Sequence, residues 1–508
     1  MTGRPTTATL PQPLDAPFRE MPRPRREQLL PVVLMLVNIA LAILLGALTA
    51  IDRVAALALA LGAVAIIGIA FRPNLATFLA LAILYSNAAA IAVQLHGWPY
   101  PIAAALPLVL LIPLANHLLV RREPLVTTPA LSLILLLFVA ELVSTVMSRD
   151  PGSAADALFK FAVEGVFLVA AITNVVRDLA TVRRAVWVLL FVGAGLGVLS
   201  LVQQATGDFN EDFFGFAQVS RAVIDTGPAT GLATEGQPRL AGPIGEKNRY
   251  AQILLVLLPL AFTRIWDERS RLLKVVAALC AVAIGAGIAL TFSRGAAVGF
   301  GMMVLVMIAL RYVNWKQIAV VALGAVLLLT AFPTYGERLL TIESITGATS
   351  TGGQVGDPDD SIRSRANEML AAGLAFADHP IVGTGPGLFP SYYPRYATQI
   401  GIKIEHTDRA AHNLYLQEAA EGGIIGLSLF LAIVGVVLRD LLRARRRWLK
   451  SRPDVANLAS GFALAIVAYL GSGLFLHLAF ERYYWLLIAL SAATAWIALQ
   501  PDPDEEPA

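Results

Sequence analysis

The sequence holds one cysteine, Cys280, and it lies inside an apolar run. That excludes an internal disulfide and a cysteine-built metal site. Charge is scarce too: Asp, Glu, Lys and Arg make up 15% of 508 residues, where soluble domains carry roughly 25%. The net charge of +3 is small, and the Lys and Arg residues fall in short clusters between apolar runs. No broad basic face for nucleic acid follows from such a pattern. A Walker motif, a zinc spacing and a nucleophilic triad are all missing. The apolar segments do not alternate with period 2, which argues against a membrane barrel. No repeat of fixed period runs through the chain.

What remains is apolar, at 57% of residues. The apolar residues come in blocks long enough to cross a hydrocarbon layer of ~30 Å as helices. Window length places candidate spans near 31–50, 53–71, 74–94, 102–120, 129–147, 157–176, 185–203, 248–265, 272–290, 296–312, 316–333, 412–438, 457–477 and 483–499. The expected fold is therefore an all-α polytopic membrane protein with about 12–14 transmembrane helices. Basic residues favour alternate connections: Arg23, Arg25 and Arg26, then Arg72, then Arg121 and Arg122, then Arg177, Arg183 and Arg184. The strongest cluster runs from Arg439 to Arg452. By the positive-inside rule these connections and both termini are cytoplasmic.

This reading divides the chain into a disordered cytoplasmic tail at 1–28, N-terminal transmembrane helices at 29–203, an outer loop at 204–247 and transmembrane helices at 248–333. A large outer loop at 334–411, C-terminal transmembrane helices at 412–499 and an acidic tail at 500–508 follow. The large loop opens with a Gly- and Asp-rich stretch, continues with helix formers over 363–376, and ends in a segment containing Phe389, Tyr392, Tyr393 and Tyr396. Loops of such length in a compact protein are functional or disordered.

Polar residues of an unusual kind collect at the outer ends of the spans. Arg294 stands between two apolar runs in T-F-S-R-G-A. An arginine at that depth either snorkels to the interface or faces a cavity or partner. The adjacent glycine permits close approach, and a guanidinium grips phosphate with two hydrogen bonds. Arg363 and Arg365 precede the loop helix, and Arg239, Lys247 and Arg249 close the first outer loop. Together these cations suffice to hold a diphosphate without a metal. His412 opens the helix after the large loop, and Asn413, Gln417 and Glu421 follow on one face, with Glu418 as a second acid. A histidine there takes a proton from a hydroxyl near neutral pH, or serves structure alone at a helix start in the interface. Gly383 to Leu388 (G-T-G-P-G-L) resembles a phosphate-binding glycine string, but no strand–helix unit surrounds it. Asp357, Asp359 and Asp360 fit a solvated turn better than a cation site.

Four strings occur in a fixed order: S-R-G-A at 293–296, R-x-x-x-M at 365–369, D-H-P-I-V-G-T-G-P-G-L-F at 378–389 and A-H-N-L-Y-L-Q-E-A-A-E-G-G-I-I-G-L at 411–427. Together they resemble the O-antigen ligase and O-antigen polymerase superfamily of bacterial membrane glycosyltransferases, over roughly residues 240–435. Met369 stands where family members often carry an aromatic, and Glu246-Lys247-Asn248 where they carry an N-P-N-like string. The resemblance implies a GT-C-like helical bundle in the bacterial inner membrane, with its large loop in the periplasm. It implies a polyprenyl-diphosphate-linked glycan (undecaprenyl diphosphate) as donor, inverting transfer without metal, and no cofactor. The acceptor is lipid A–core for ligases in lipopolysaccharide biosynthesis, another glycan for polymerases, and protein for a third group. Carried over by motif, Arg294, Arg365 and His412 are the catalytic set, with Arg249 added from the residue reading to help bind the donor diphosphate. Asn413, Glu418 and Glu421 support them, either acid being placed to orient His412. His412 is then either the base or a phosphate-binding imidazolium, and ligase and polymerase stay open. The competing class is a transporter or flippase without catalysis, which shares many spans and intramembrane charges. A non-catalytic assembly scaffold is a third.

Overall fold

The computed structural model describes residues 72–99, 106–220, 239–312, 358–401, 409–478 and 481–501, with short pieces between them. The expected tail at 1–28, the span at 31–50, most of the spans at 53–71 and 316–333, Asp357, the front of the large loop and most of the tail at 500–508 lie outside the described residues.

Helices dominate. Helix α1 (Leu75–Ser86) and α2 (Ala88–Gln94) form a pair bent by 54° at Asn87, whose backbone is left-handed. Asn tolerates that conformation better than most residues. A shorter apolar stretch, Leu108–Val120, follows. Thr128 caps α3 (Pro129–Met147), with proline at the first position, where its missing N–H costs nothing. Asp150 caps α4 (Pro151–Phe161), which runs through a π turn at Ala162–Phe167 into α5 (Leu168–Val175). The span expected at 157–176 is thus helical but irregular at Glu164. Asp178 caps α6 (Leu179–Thr206). Strands β1 (Gln218–Ser220) and β2 (Arg239–Gly242) pair antiparallel before α7 (Lys247–Asp267), capped by Glu246. Then come α8 (Arg271–Leu290), capped by Ser270, and α9 (Arg294–Ala309), capped by Ser293. Loop helices α10 (Pro358–Asp378) and α11 (Phe389–Gln399) precede α12 (Leu414–Trp448), α13 (Pro453–Ser472) and α14 (Glu481–Leu499).

Among the described residues seven helices are long and apolar enough to cross a membrane, namely α3, α6, α7, α8, α12, α13 and α14; the bent pair α1–α2 makes an eighth. Helix α9, where a span was expected at 296–312, has 16 residues. The protein is an all-α, multi-pass membrane protein, as its composition predicts.

Helices α7, α13 and α14 form the interior, whereas α3, α8 and α12 leave Leu136, Val143, Leu279, Val282 and Leu431 exposed. Such an outward apolar surface suits lipid, where helices satisfy their own backbone groups. Inside, small residues let helices approach. A Cβ on Gly299 falls 2.7 Å from the Ala468 carbonyl oxygen, so α9 and α13 pack backbone to backbone.

The two ends of the bundle differ. At one, Arg264 pairs with Glu268 at 3.1 Å, Asn457 donates to Asp267 at 2.6 Å and Arg445 donates to the Leu310 carbonyl at 2.8 Å. At the other, α7 and α12 begin and α13 ends: the Leu414 amide donates to the Gly473 carbonyl at 2.8 Å, and Arg249 donates to the His477 carbonyl. Both long polar segments lead into helices at this second end.

Candidate active site

The segment at 378–388 docks on a break in α12. Gly423 has φ +63° there, inside an otherwise helical run. The freed backbone groups find new partners: the Ile424 amide donates to the Pro380 carbonyl (2.8 Å), the Thr384 amide to Ala420 (2.9 Å) and the Gly385 amide to Glu421 (3.1 Å). The Ser144 hydroxyl, from α3, donates to the Val382 carbonyl at 2.5 Å. The glycine string is therefore a structural clasp, which is why the nucleotide-type reading of G-T-G-P-G-L does not hold. Glu421 belongs to it, accepting from the Gly387 amide at 2.9 Å and the Phe389 amide at 3.3 Å. Gln417 donates to Glu421 at 3.2 Å and accepts from the Ala411 amide at 3.3 Å, which ties the clasp to the residue before His412.

His412 itself precedes α12 in a left-handed backbone conformation, φ +48°. Asn413 is the helix cap: its side-chain oxygen accepts from the Leu416 amide at 2.9 Å, and its nitrogen donates to the Leu474 carbonyl at 3.1 Å. The cap and the Leu414–Gly473 bond lock the chain against the α13–α14 connection, where the His477 ring meets the His412 ring edge-to-face at 5.6 Å. His412 keeps a third of its side chain exposed.

The carboxylate that meets His412 is Glu368 of α10, not Glu418 or Glu421, the two expected to orient it. Glu368 Oε2 lies 2.7 Å from His412 Nδ1 and Glu368 is 1% exposed. Its other oxygen accepts from Arg409 at 2.8 Å and from Ser364, one helical turn earlier, at 3.1 Å. Burial raises the Glu368 carboxyl, but the His412, Arg409 and Ser364 contacts outweigh it and hold it below the ordinary carboxylate value. The i, i+4 pair Ser364/Glu368 was visible in the sequence, but its link to Arg409 and His412 needs the fold.

Arg365, three residues before Glu368, lies within electrostatic reach of Arg294, Glu246 and Glu368. Burial first, and the Arg294 charge second, depress its guanidinium, which stays cationic at neutral pH. The Glu246 and Glu368 carboxylates act on the same guanidinium in the opposite sense. Arg294 is the first residue of α9, after Ser293, whose hydroxyl caps the helix. Arg249 is 4% exposed, and its Nη2 has no hydrogen-bond partner. His477 Nδ1 is likewise buried without a partner. Burial first, then the Arg249 and His412 charges, keep His477 well below the usual imidazole range, hence neutral. Nothing is described for the side chain of Arg363. Arg239 begins β2 and Lys247 begins α7. Among the described residues no group of three His, Cys, Asp or Glu side chains could hold a metal ion.

Helices α7, α9, α10 and α12 therefore bring a base-type imidazole, a buried carboxylate and several guanidinium groups to one end of the bundle. Such an arrangement suits transfer from a phosphate leaving group to a hydroxyl. None of the curated proteins matches the chain. Residues 278–431, from within α8 into α12, match the family described as O-antigen ligase, and the matched segment carries Arg294, Arg365 and His412.

Proposed function

We propose that this chain is an O-antigen ligase-like glycosyltransferase working at the outer face of the bacterial inner membrane. It moves a glycan from a polyprenyl-diphosphate donor to an acceptor, lipid A–core or another glycan. The observation that supports the reading is that Arg365, within electrostatic reach of Arg294, stands one helical turn from Glu368, the carboxylate that lies against His412, all inside the matched segment. Arg294 and Arg365, with Arg249, bind the donor diphosphate and stabilise the charge that builds on the leaving phosphate. His412 takes the proton from the acceptor hydroxyl as that oxygen attacks the anomeric carbon. Attack opposite the leaving group inverts the anomeric centre, and the arginines supply the positive charge a metal otherwise brings. Asn413 caps the helix that carries the base, and Glu421 holds the clasp beneath it. Glu418 lies on the same helix one turn before Gly422 and has no role in the proposed step. The basic connections face the cytoplasm, together with both termini, and the large loop faces the periplasm.

Deleting the gene in its host and examining lipopolysaccharide and exopolysaccharide tests the reading, with His412→Ala as the complementing control. Lipid A–core stripped of its long glycan, with lipid-linked polymer accumulating, is the expected result. Accumulation of single repeat units marks a polymerase instead. Unchanged glycans, with solute uptake by proteoliposomes containing the protein, replace the enzyme with a transporter.

A further inference from the structure

We infer that Glu368, anchored by Arg409 and Ser364, is the residue that positions His412: it keeps a hydrogen on Nδ1 and so turns a free Nε2 towards the acceptor hydroxyl. The inference rests on His412 being the base, as proposed above. Two atoms face His412 Nδ1: the Ala410 carbonyl oxygen takes its hydrogen bond at 3.1 Å, and Glu368 Oε2, buried with no hydrogen-bond partner of its own, lies 2.7 Å away as an ion-pair contact. Both are acceptors only, so the ring nitrogen between them carries its proton and the lone pair lies on the other side.

Neither partner is free to drift. The chain at 410–414 is held by the Gln417 acceptor, the Asn413 cap and the Gly473 carbonyl. Glu368 is held at its other oxygen by Arg409 and Ser364, and those two groups are themselves joined at 2.8 Å. A carboxylate at 1% exposure is costly unless its neighbours compensate it, and here they do so in an orientation that aims one oxygen at the imidazole. Arg365 and Glu368 leave α10 one turn apart, so one short helix serves both halves of the reaction: the guanidinium meets the donor and the carboxylate meets the base.

Glu368 of α10 and His477 of the α13–α14 connection face His412; Arg409, Arg365 and Tyr393 lie within reach of Glu368, and Arg249 and Lys160 within reach of His477. In the step, the acceptor oxygen bonds to the anomeric carbon while the bond from that carbon to the phosphate oxygen breaks. Its electron pair leaves with the diphosphate, and the hydroxyl proton moves to Nε2. The imidazolium that results faces the Glu368 carboxylate, which stabilises it.

The test uses membranes from the gene-deleted host carrying the full-length protein at matched levels, with the host's own lipid-linked glycans and acceptors as substrates. Initial transfer rates are followed across pH. Glu368→Gln is expected to lower the rate about 10–100-fold, part of the ~10²–10⁴-fold that general-base catalysis contributes. It also moves the acid limb of the profile to lower pH, because the imidazolium loses its counter-charge. Glu368→Asp restores part of the rate. A wild-type rate and limb in Glu368→Gln overturns the inference, and so does a slower variant whose limb stays in place, since that marks a merely structural role. If Glu368→Gln fails to accumulate, Arg409→Lys, which loosens the anchor, must move the rate and the limb in the same directions; wild-type behaviour there overturns it equally. His412→Ala separates the two levels: an active His412→Ala removes the base and the function reading, whereas an inactive one beside a wild-type-like Glu368→Gln removes only the positioning role.

Discussion

Gly423 and Gly383 meet across the break in α12, where a Cβ on Gly423 falls 2.7 Å from the Gly383 amide nitrogen and one on Gly383 falls 2.6 Å from the Gly422 amide nitrogen. Both glycines have positive φ, +63° and +75°. The contact joins the large loop to the helix that His412 precedes, so the loop's placement and the base's placement depend on one another.

Either Gly423→Ala or Gly383→Ala is therefore expected to destabilise the docked loop by about 1–3 kcal/mol, from backbone strain with a backbone clash added. Gly422→Ala, one residue away with open space around its Cβ, is the control and should leave stability within about 1 kcal/mol of wild type. Thermal unfolding of the purified protein in detergent reads the difference, and transfer activity should fall with the first two variants alone.

The arginines make a separate prediction. Arg294→Ala and Arg365→Ala should each lower transfer by at least ~10²-fold while insertion and thermal midpoint stay near wild type, because preorganised charge on a leaving group is worth a few kcal/mol. Lysine at either position should recover a part only, since an ammonium cannot grip phosphate with the two parallel bonds of a guanidinium. Glycan products analysed beside immunoblots of membrane-inserted protein check both.

Arg249 differs from these two in being buried, with its Nη2 lacking a partner. If that nitrogen is kept for an anion, inorganic pyrophosphate should raise the thermal midpoint of the wild-type protein, and Arg249→Gln should abolish the rise. The arithmetic is modest: a ligand at 100 times its Kd stabilises by about 2.7 kcal/mol. A rise of equal size in Arg249→Gln excludes this arginine as a diphosphate ligand.

Much of this arrangement was legible beforehand. Apolar blocks placed α3, α7, α8, α13 and α14 to within about five residues at either end, because a helix that must cross lipid needs a fixed apolar length, whereas α6 starts six residues earlier and α12 ends ten residues later than the apolar runs. The loop helix was legible from its helix formers, and the structure begins it earlier, at Pro358, and ends it at Asp378. Arg294 stood out because charge at a span end is costly, and Arg365 and His412 by their place in the motif strings. The bend at Asn87 and the π turn around Glu164 were not legible, since neither changes the apolar pattern. Glu368 escaped for another reason. On a polar loop helix a glutamate is ordinary, and its meaning comes from Arg409, 41 residues on, and His412, 44 on. The backbone amides that Glu421 and Gln417 meet were not legible, because a shared helix face says which residues are neighbours and nothing about such partners.

The acid side of stability follows from Glu368. Its folded-state value lies below the ordinary one, so its pairing contributes stability that is present above the unfolded-state value of ~4.3 and is lost as pH falls through the lower folded-state value. Glu368→Gln cannot titrate there. Comparing thermal midpoints across pH, wild type should exceed Glu368→Gln near neutrality, and the gap should narrow as pH drops below ~4.3. A Glu421→Gln variant isolates the local effect: it loses a clasp hydrogen bond worth about 1 kcal/mol, and the acid limb of transfer should stay in place because Glu421 holds backbone amides and not the imidazole. If the Glu368→Gln gap instead widened on acidification, the buried carboxylate would be destabilising the fold as an ion, and its contacts with Arg409, Ser364 and His412 would be too weak to hold it charged.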